Sequence, residues 1–305
     1  MTSHWTANDI PSLQGRSAIV TGGNSGLGYF TCLELARHGA SVTMAVRDLA
    51  KGAQAEASIR AAAPNAELTV ARLDLADLDS IREFAATVTS LDLLVNNAGV
   101  MAIPQRTTKD GFEMQFGTNH LGHFALTGLV LPALTARPGS RIVTVSSNAH
   151  KFGTMNFDDL MRSKQYRAWS VYGQSKLANL LFTLELTRRL AAADVPTTAY
   201  TAHPGYASTN LAFAAPTMKN KSWQTKFIEA GNRVFAQSAE MGALPTLFAA
   251  TAPALPAGSY VGPDGWGEQR GYPKIVEPAA KARNYADAAR LWDLSSELTG
   301  VTYPL

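Results

Sequence analysis

Apolar positions along this chain follow two alternating rhythms. Short, nearly continuous β-rich runs occupy residues 18–21, 41–46, 68–73, 91–96, 141–147 and 197–201. Between them lie longer stretches rich in alanine and leucine with helical spacing, at 26–38, 80–89, 112–134 and 171–193. Strands that are apolar throughout and separated by helices are the pattern of a parallel sheet covered on both faces. The chain thus predicts an α/β fold: a doubly wound parallel sheet forming a single domain over 15–305, preceded by an N-terminal extension, 1–14.

After Pro204 the rhythm breaks. Residues 205–237 mix Gly, Pro and Asn with Trp223, Phe227 and Phe235, an aromatic-bearing stretch compatible with a short amphipathic helix. This segment is the expected substrate lid, since lids must be mobile and poorly packed. A helix at 239–250, a strand near Tyr260 and Val261 that finishes the sheet, and a helix at 285–298 complete the prediction.

Composition changes this picture little and excludes a good deal. Hydrophobic residues are 46% and charged residues 17% of 305, and the net charge is +3. The basic residues are scattered, without the concentrated stripe that nucleic-acid binding requires. A single cysteine, Cys32, rules out an intramolecular disulfide framework and fits a reducing compartment. It reads as a small apolar helix residue. The N-terminus lacks a basic-then-apolar signal pattern, and no apolar run approaches the ~18 residues of a membrane span. A cytoplasmic protein acting on a small molecule, with no membrane or nucleic-acid partner, is expected.

The chemistry begins at Thr21-Gly22-Gly23-Asn24-Ser25-Gly26-Leu27-Gly28, which follows the first strand and opens the first long helix. Glycines there permit a tight turn and let the backbone approach a pyrophosphate seated on the helix N-terminus. The spacing differs from the commonest dinucleotide fingerprint, and a plain glycine-rich turn is the competing reading. Arg47, 21 positions after Gly26, stands where an acidic residue would meet a ribose 2′-hydroxyl. A guanidinium there suits a 2′-phosphate. Asp48 follows and keeps the acidic reading open, but NADP is favoured over NAD.

Tyr172 and Lys176 are four residues apart, so on a helix they share a face. A lysine beside a tyrosine favours the phenolate, which predicts a phenol drawn below its usual ~10 and able to act as general acid/base. His120 and His123, at i and i+3, lack a third ligand nearby and read as packing or helix-surface residues. Ser147 with His150 or His203 hints at a hydrolase, but no Gly-x-Ser-x-Gly elbow surrounds the serine.

With Asp74-Leu75, Asn96-Asn97-Ala98-Gly99, Asn119, Ser146-Ser147 and Pro204-Gly205 in order between 15 and 210, the chain resembles the short-chain dehydrogenase/reductases. Its fold expectation is then the Rossmann type. The runs Thr-Asn-His-Leu-Gly-His-Phe at 118–124 and Ser-Ser-Asn-Ala-His at 146–150 are similar to the retinol-dehydrogenase-like and protochlorophyllide-reductase-like branch.

The resemblance implies a cofactor site at Gly22, Asn24, Ser25, Gly26, Leu27, Gly28 and Arg47. Asp74 and Leu75 would flank the adenine, Asn97, Ala98 and Gly99 would line the ribose, and Pro204, Gly205 and Thr209 would close over the nicotinamide. It implies Tyr172 as proton donor and Lys176 as the residue binding the nicotinamide ribose and lowering the tyrosine pKa. Asn119 would hold a water linking Lys176 to solvent, and Ser147, rather than its neighbour Ser146, would hold the substrate oxygen.

The implied reaction is hydride transfer between nicotinamide and a carbonyl or alcohol. Met101, Ile103, Tyr206 and Phe213 suggest an apolar substrate. Carbon–carbon double-bond reduction and a silent NADP-binding sensor are the alternatives. Ser147 and Tyr172 are 25 positions apart, longer than in the plainest relatives. The intervening stretch, with Phe152, Phe157, Tyr166 and Trp169, either borders the cleft or pads the surface. It is expected to obstruct a tetramer and leave a monomer or homodimer.

Overall fold

The computed structural model describes residues 4–206 and 237–305. Among the described residues, eight strands form one sheet: β1 (Ser17–Thr21), β2 (Ser41–Val46), β3 (Glu67–Arg72), β4 (Leu93–Asn96), β5 (Arg141–Val145), β6 (Thr198–Ala202), β7 (Tyr260–Pro263) and β8 (Pro273–Ile275). Their order is β3-β2-β1-β4-β5-β6-β7-β8, and every pairing is parallel except β7 with β8. The order reverses between β1 and β4. Chains leaving the two strands there diverge to opposite faces and open a crevice at the strands' carboxyl ends.

The helices are α1 (Gly26–Arg37), α2 (Leu49–Ala62), α3 (Leu78–Ala85), the single turn α4 (Met114–Phe116), α5 (Gly122–Thr135), α6 (Ala168–Ala192), α7 (Ala239–Thr251) and α8 (Tyr285–Thr299). Four of their starts follow from short polar side chains that accept backbone N–H groups with no helical partner. Asp48 caps α2, Asp77 caps α3, Ser238 caps α7 and Asn284 caps α8. Gly300, with φ of 66°, ends α8 in the left-handed conformation.

Alternation along the strands splits the core in two. Val20, Met44, Val95 and Val143 point to one face and pack with Leu35, Ile59, Leu244 and Leu247. Ile19, Ala45, Leu94 and Ile142 point to the other and meet Ile81, Phe124, Leu131 and Phe182. Residues 5–10 pack on the α7 side: Ile10 is buried, and Trp5 makes an edge contact with Phe248.

Three elements differ from the sequence reading. A full helix, α2, follows β2. The antiparallel β8 lies beyond β7, so the sheet does not finish at Val261. The single helix expected over 112–134 is three pieces, because a π-helical turn, Gly117–Leu121, separates α4 from α5. Among the described residues, no helix is long and apolar enough to cross a membrane.

Candidate active site

The crevice between β1 and β4 is a cleft of about 300 Å³. Gly22, Asn24, Ser25, Gly26, Leu27, Gly28, Arg47, Asp74, Leu75, Asn97, Ala98 and Gly99 all line it. Gly22 and Gly26 have φ of 68° and 53°, a region where side chains clash. Close approach is equally strict at Gly28, where a Cβ would come within 2.6 Å of Asn97 Nδ2 and closer still to the Gly22 carbonyl.

Ser25 occupies the N-cap position of α1 without capping it through its side chain. The first-turn N–H groups of α1 therefore face the cleft together with the positive end of the helix dipole. Arg47 is exposed at the end of β2. Asp48, the competing acidic residue, has its carboxylate on the Lys51 N–H at 3.1 Å as the cap of α2. The donor set fits the pyrophosphate of a nicotinamide dinucleotide.

Thr21 braces the turn from below. Its hydroxyl lies 2.9 Å from the backbone nitrogens of both Asn97 and Ala98, and 2.9 Å from His123 Nε2. The Nδ1 of His123 meets the Asn119 carbonyl at 3.0 Å. His120 is buried among Phe116, Phe124 and Phe182 and bonds Ser295. Both histidines are interior residues, so the helix-surface alternative fails, and His123 is a bridge as well as packing. Burial pushes its pKa down to about 4. Among the described residues, no group of three potential metal ligands occurs.

Just past the cleft, a Cβ placed on Gly99 would lie 3.6 Å from Lys176 Nζ. Lys176 and Tyr172 sit on α6, with the ammonium 5.7 Å from the phenol ring centroid. The ammonium donates to the Val145 carbonyl at 3.1 Å. Ser147 reaches the same place from the end of β5, near enough to the Tyr172 phenol to favour its ionised form, while its hydroxyl accepts from the Ala149 N–H at 3.2 Å. Ser146 differs: its hydroxyl is buried and donates to the Lys176 carbonyl at 2.8 Å.

Asn119 occupies the π-helical turn. Its amide donates to the Val100 carbonyl and the Ser175 hydroxyl, and its Oδ1 accepts from the Val100 N–H. It bonds across to another strand end rather than to its own helix.

The expected electrostatics are reversed at Tyr172. Burial pushes the phenol up to about 12, against the opposing influence of the nearby Ser147, and burial pushes Lys176 down to about 8. Both charged forms lose water, and that desolvation dominates at each group. Tyr172 is therefore a neutral hydrogen-bond donor at neutral pH.

Pro204 and Gly205 follow β6. Gly205 has φ of 66°, and its N–H donates to His203 Nδ1 at 3.2 Å. His203 Nε2 lies 3.2 Å from the Glu268 carboxylate. His203, together with Lys151, holds that carboxyl down at about 2. His150 uses Nδ1 on the backbone carbonyl of Ser147, so neither histidine is aligned as a base for the serine hydroxyl. Thr209, Phe213, Trp223, Phe227 and Phe235, with most of the expected lid, lie outside the described residues. Ile103 is buried, and Tyr206 is exposed.

The family model for short chain dehydrogenases matches residues 16–220. The chain belongs to that family. It is 41% identical to human retinol dehydrogenase 13, over 96% of this chain and 87% of the relative. Human retinol dehydrogenase 11 is 40% identical over 99% of this chain and 91% of the relative. A crystal structure of an uncharacterized protein from Mycobacterium paratuberculosis superposes with a TM-score of 0.84 at 46% identity, covering 99% of this chain and 100% of that one. Family membership makes the chain an oxidoreductase of CH–OH and C=O groups that binds a nicotinamide cofactor.

Sequence reasoning missed the roles of Gln115, Tyr166, His123 and Glu268, although it named His123 as packing or helix surface and Tyr166 within a stretch that borders the cleft or pads the surface. Only a buried hydrogen-bond network reveals the first three, and Glu268 reaches the site from a loop more than sixty positions beyond Pro204.

Proposed function

We propose that the chain is an NADP(H)-dependent oxidoreductase of hydrophobic aldehydes, ketones or alcohols, with Tyr172 as the general acid/base. Convergence of Ser147, Tyr172 and Lys176 immediately beyond the glycine-turn cleft carries this reading.

Bound nicotinamide supplies or accepts the hydride. Ser147 and Tyr172 aim two hydroxyl donors at the oxygen on which charge develops. Tyr172 passes its proton to that oxygen, and a phenol held protonated suits the reductive direction. Lys176 places a cation behind the phenol and keeps N–H groups for a ribose hydroxyl, since only one of its three bonds Val145. Asn119 holds α6 and residue 100 together around this centre. Arg47, with Asp48 committed to its helix cap, favours a 2′-phosphate. Relatives named for retinol, an apolar alcohol, support the hydrophobic substrate class.

Residues 205–237 serve as the substrate lid, and the 150–170 stretch leaves a monomer or homodimer. A light-scattering mass of four chains contradicts the latter. A cytoplasmic location belongs to the same proposal, and the single cysteine is compatible with a reducing compartment.

The reading is tested with NADPH, a panel of carbonyls and Tyr172→Phe, following absorbance. The expected loss in turnover is ~100-fold or more with NADPH binding retained. Unchanged turnover in this variant refutes the mechanism, and cofactor binding without any turnover by the parent protein indicates a sensor. Deuterated NADPH separates carbonyl from carbon–carbon reduction by where the label lands.

A further inference from the structure

A buried hydrogen-bonded cluster beside the site has no part in proton or hydride transfer. The backbone leaving Gly99 bends at Ala102, whose φ of 49° is left-handed. For a residue with a Cβ that conformation costs about 1–2 kcal/mol, so neighbours must impose it. Asn119 takes both backbone groups of Val100, at 2.8 and 2.9 Å. The Ala102 N–H donates to Gln115 Oε1 at 2.7 Å, and the Tyr166 hydroxyl donates to the Ile103 carbonyl at 2.8 Å.

Gln115 closes the circuit. Its side chain is fully buried, and its Nε2 donates to the Tyr166 oxygen at 2.8 Å and to the Ala168 carbonyl at 3.0 Å. Glu113 fixes it in turn, accepting from the backbone nitrogens of Gln115 and Phe116. Ala168 is the first residue of α6, one turn before Tyr172. One buried amide thus joins the bend after β4, the 150–170 stretch and the first turn of the helix bearing the phenol.

The geometry points to Tyr166 and Gln115 as positioning residues that hold the apolar bend at 100–103 against the Tyr172 helix and so select substrates by the length of an unbranched apolar tail. This rests on the oxidoreductase reading above. The bend begins at Gly99, beside Lys176, and continues through Val100, Met101, Ala102 and Ile103, of which Met101 and Ala102 are half-buried and Ile103 is buried; in this proposal the partly open part of that apolar stretch is the surface an apolar tail lies along. Trp169, 57% exposed, makes an edge contact with Tyr172 at 6.1 Å and supplies a second apolar surface at the same helix turn. A short aldehyde does not reach along the stretch, whereas a long one does.

Tyr166→Phe removes the latch hydroxyl and keeps the ring. Two measurements apply: hydrogen exchange of the amides at 100–103, and NADPH-coupled turnover of propanal and decanal. Faster exchange at 100–103 is expected. The decanal KM should rise about tenfold, while the propanal KM and NADPH affinity stay within about twofold. Adding Ala102→Gly removes the cost of the left-handed bend and should return the decanal KM towards the parent value, which general loosening of the fold would not do. Unchanged exchange in Tyr166→Phe, or equal KM changes for both aldehydes, overturns the proposal. Should the parent protein bind NADPH but reduce neither aldehyde, the oxidoreductase reading and the tail selection built on it both fail, and the exchange measurement alone still decides whether the latch exists.

Discussion

The Thr21 hydroxyl donates its proton to His123, and the opposite side of the imidazole sets that direction. Nδ1 faces the Asn119 carbonyl, which can only accept. Nδ1 therefore carries the hydrogen, and Nε2 is the acceptor. Both lone pairs of Thr21 Oγ1 are left for the N–H groups of Asn97 and Ala98.

Thr21→Val removes an acceptor shared by two backbone donors at the floor of the cleft. The expected cost is about 2 kcal/mol or more of stability, with weakened cofactor binding. Thr21→Ser should keep most of both. Denaturant unfolding and NADPH titration check this, and a valine variant as stable as the parent contradicts the network.

A phenol that ionises at about 12 gives the two reaction directions different pH dependences. Reduction requires the protonated form, so its kcat/KM should stay flat from neutral pH towards 8. Oxidation requires the phenolate and should rise nearly tenfold for each step of pH across the same range. Initial rates in both directions check the contrast. An oxidation rate already level at pH 7 means that the phenol ionises far lower.

Lys176 releases its proton at about 8 in the folded chain and at about 10.4 when unfolded. Between these values the unfolded chain binds more protons, so stability rises with pH across that window. Below 8 the cost of burying the ammonium is fully in force, on the order of 2–3 kcal/mol. Lys176→Met should therefore melt higher than the parent at pH 7 without cofactor, by a margin that shrinks above pH 8, while turnover is lost. Thermal melts at both pH values test it.

Arg47→Ala should weaken NADPH about tenfold or more and leave NADH nearly unchanged. Fluorescence titration with each cofactor is the check. Equal losses for both would place the guanidinium away from the 2′-phosphate.

Much of this was legible in the chain because parallel strands are dry on both faces and read as plain apolar runs. The glycine turn was legible because its conformation excludes other residues. Helix α2 was not: it is built from alanines and polar residues and buries only Gly52, Ala55 and Ile59, so it carries almost no periodic signal. The π-helical turn is equally silent, since it arises where Asn119 is drawn sideways to Val100. Spacing placed Tyr172 and Lys176 on one face but could not reveal how deeply both are buried, which is why the phenol shifts upward. Gln115 and Tyr166 lie far apart in sequence, and no local motif joins them.

Cys32 gives the dinucleotide end a built-in reporter. The thiol is fully buried in α1, and a Cβ on Gly23 would lie 2.7 Å from its sulfur. Burial also raises its pKa, so little thiolate forms while the turn is closed. With no second cysteine in the chain, alkylation of the native protein reports the openings that expose this one buried thiol, separation of α1 from the glycine turn among them. The rate of a single covalent reaction, measured against NADPH concentration, thereby becomes a stopwatch for breathing of the cofactor cradle.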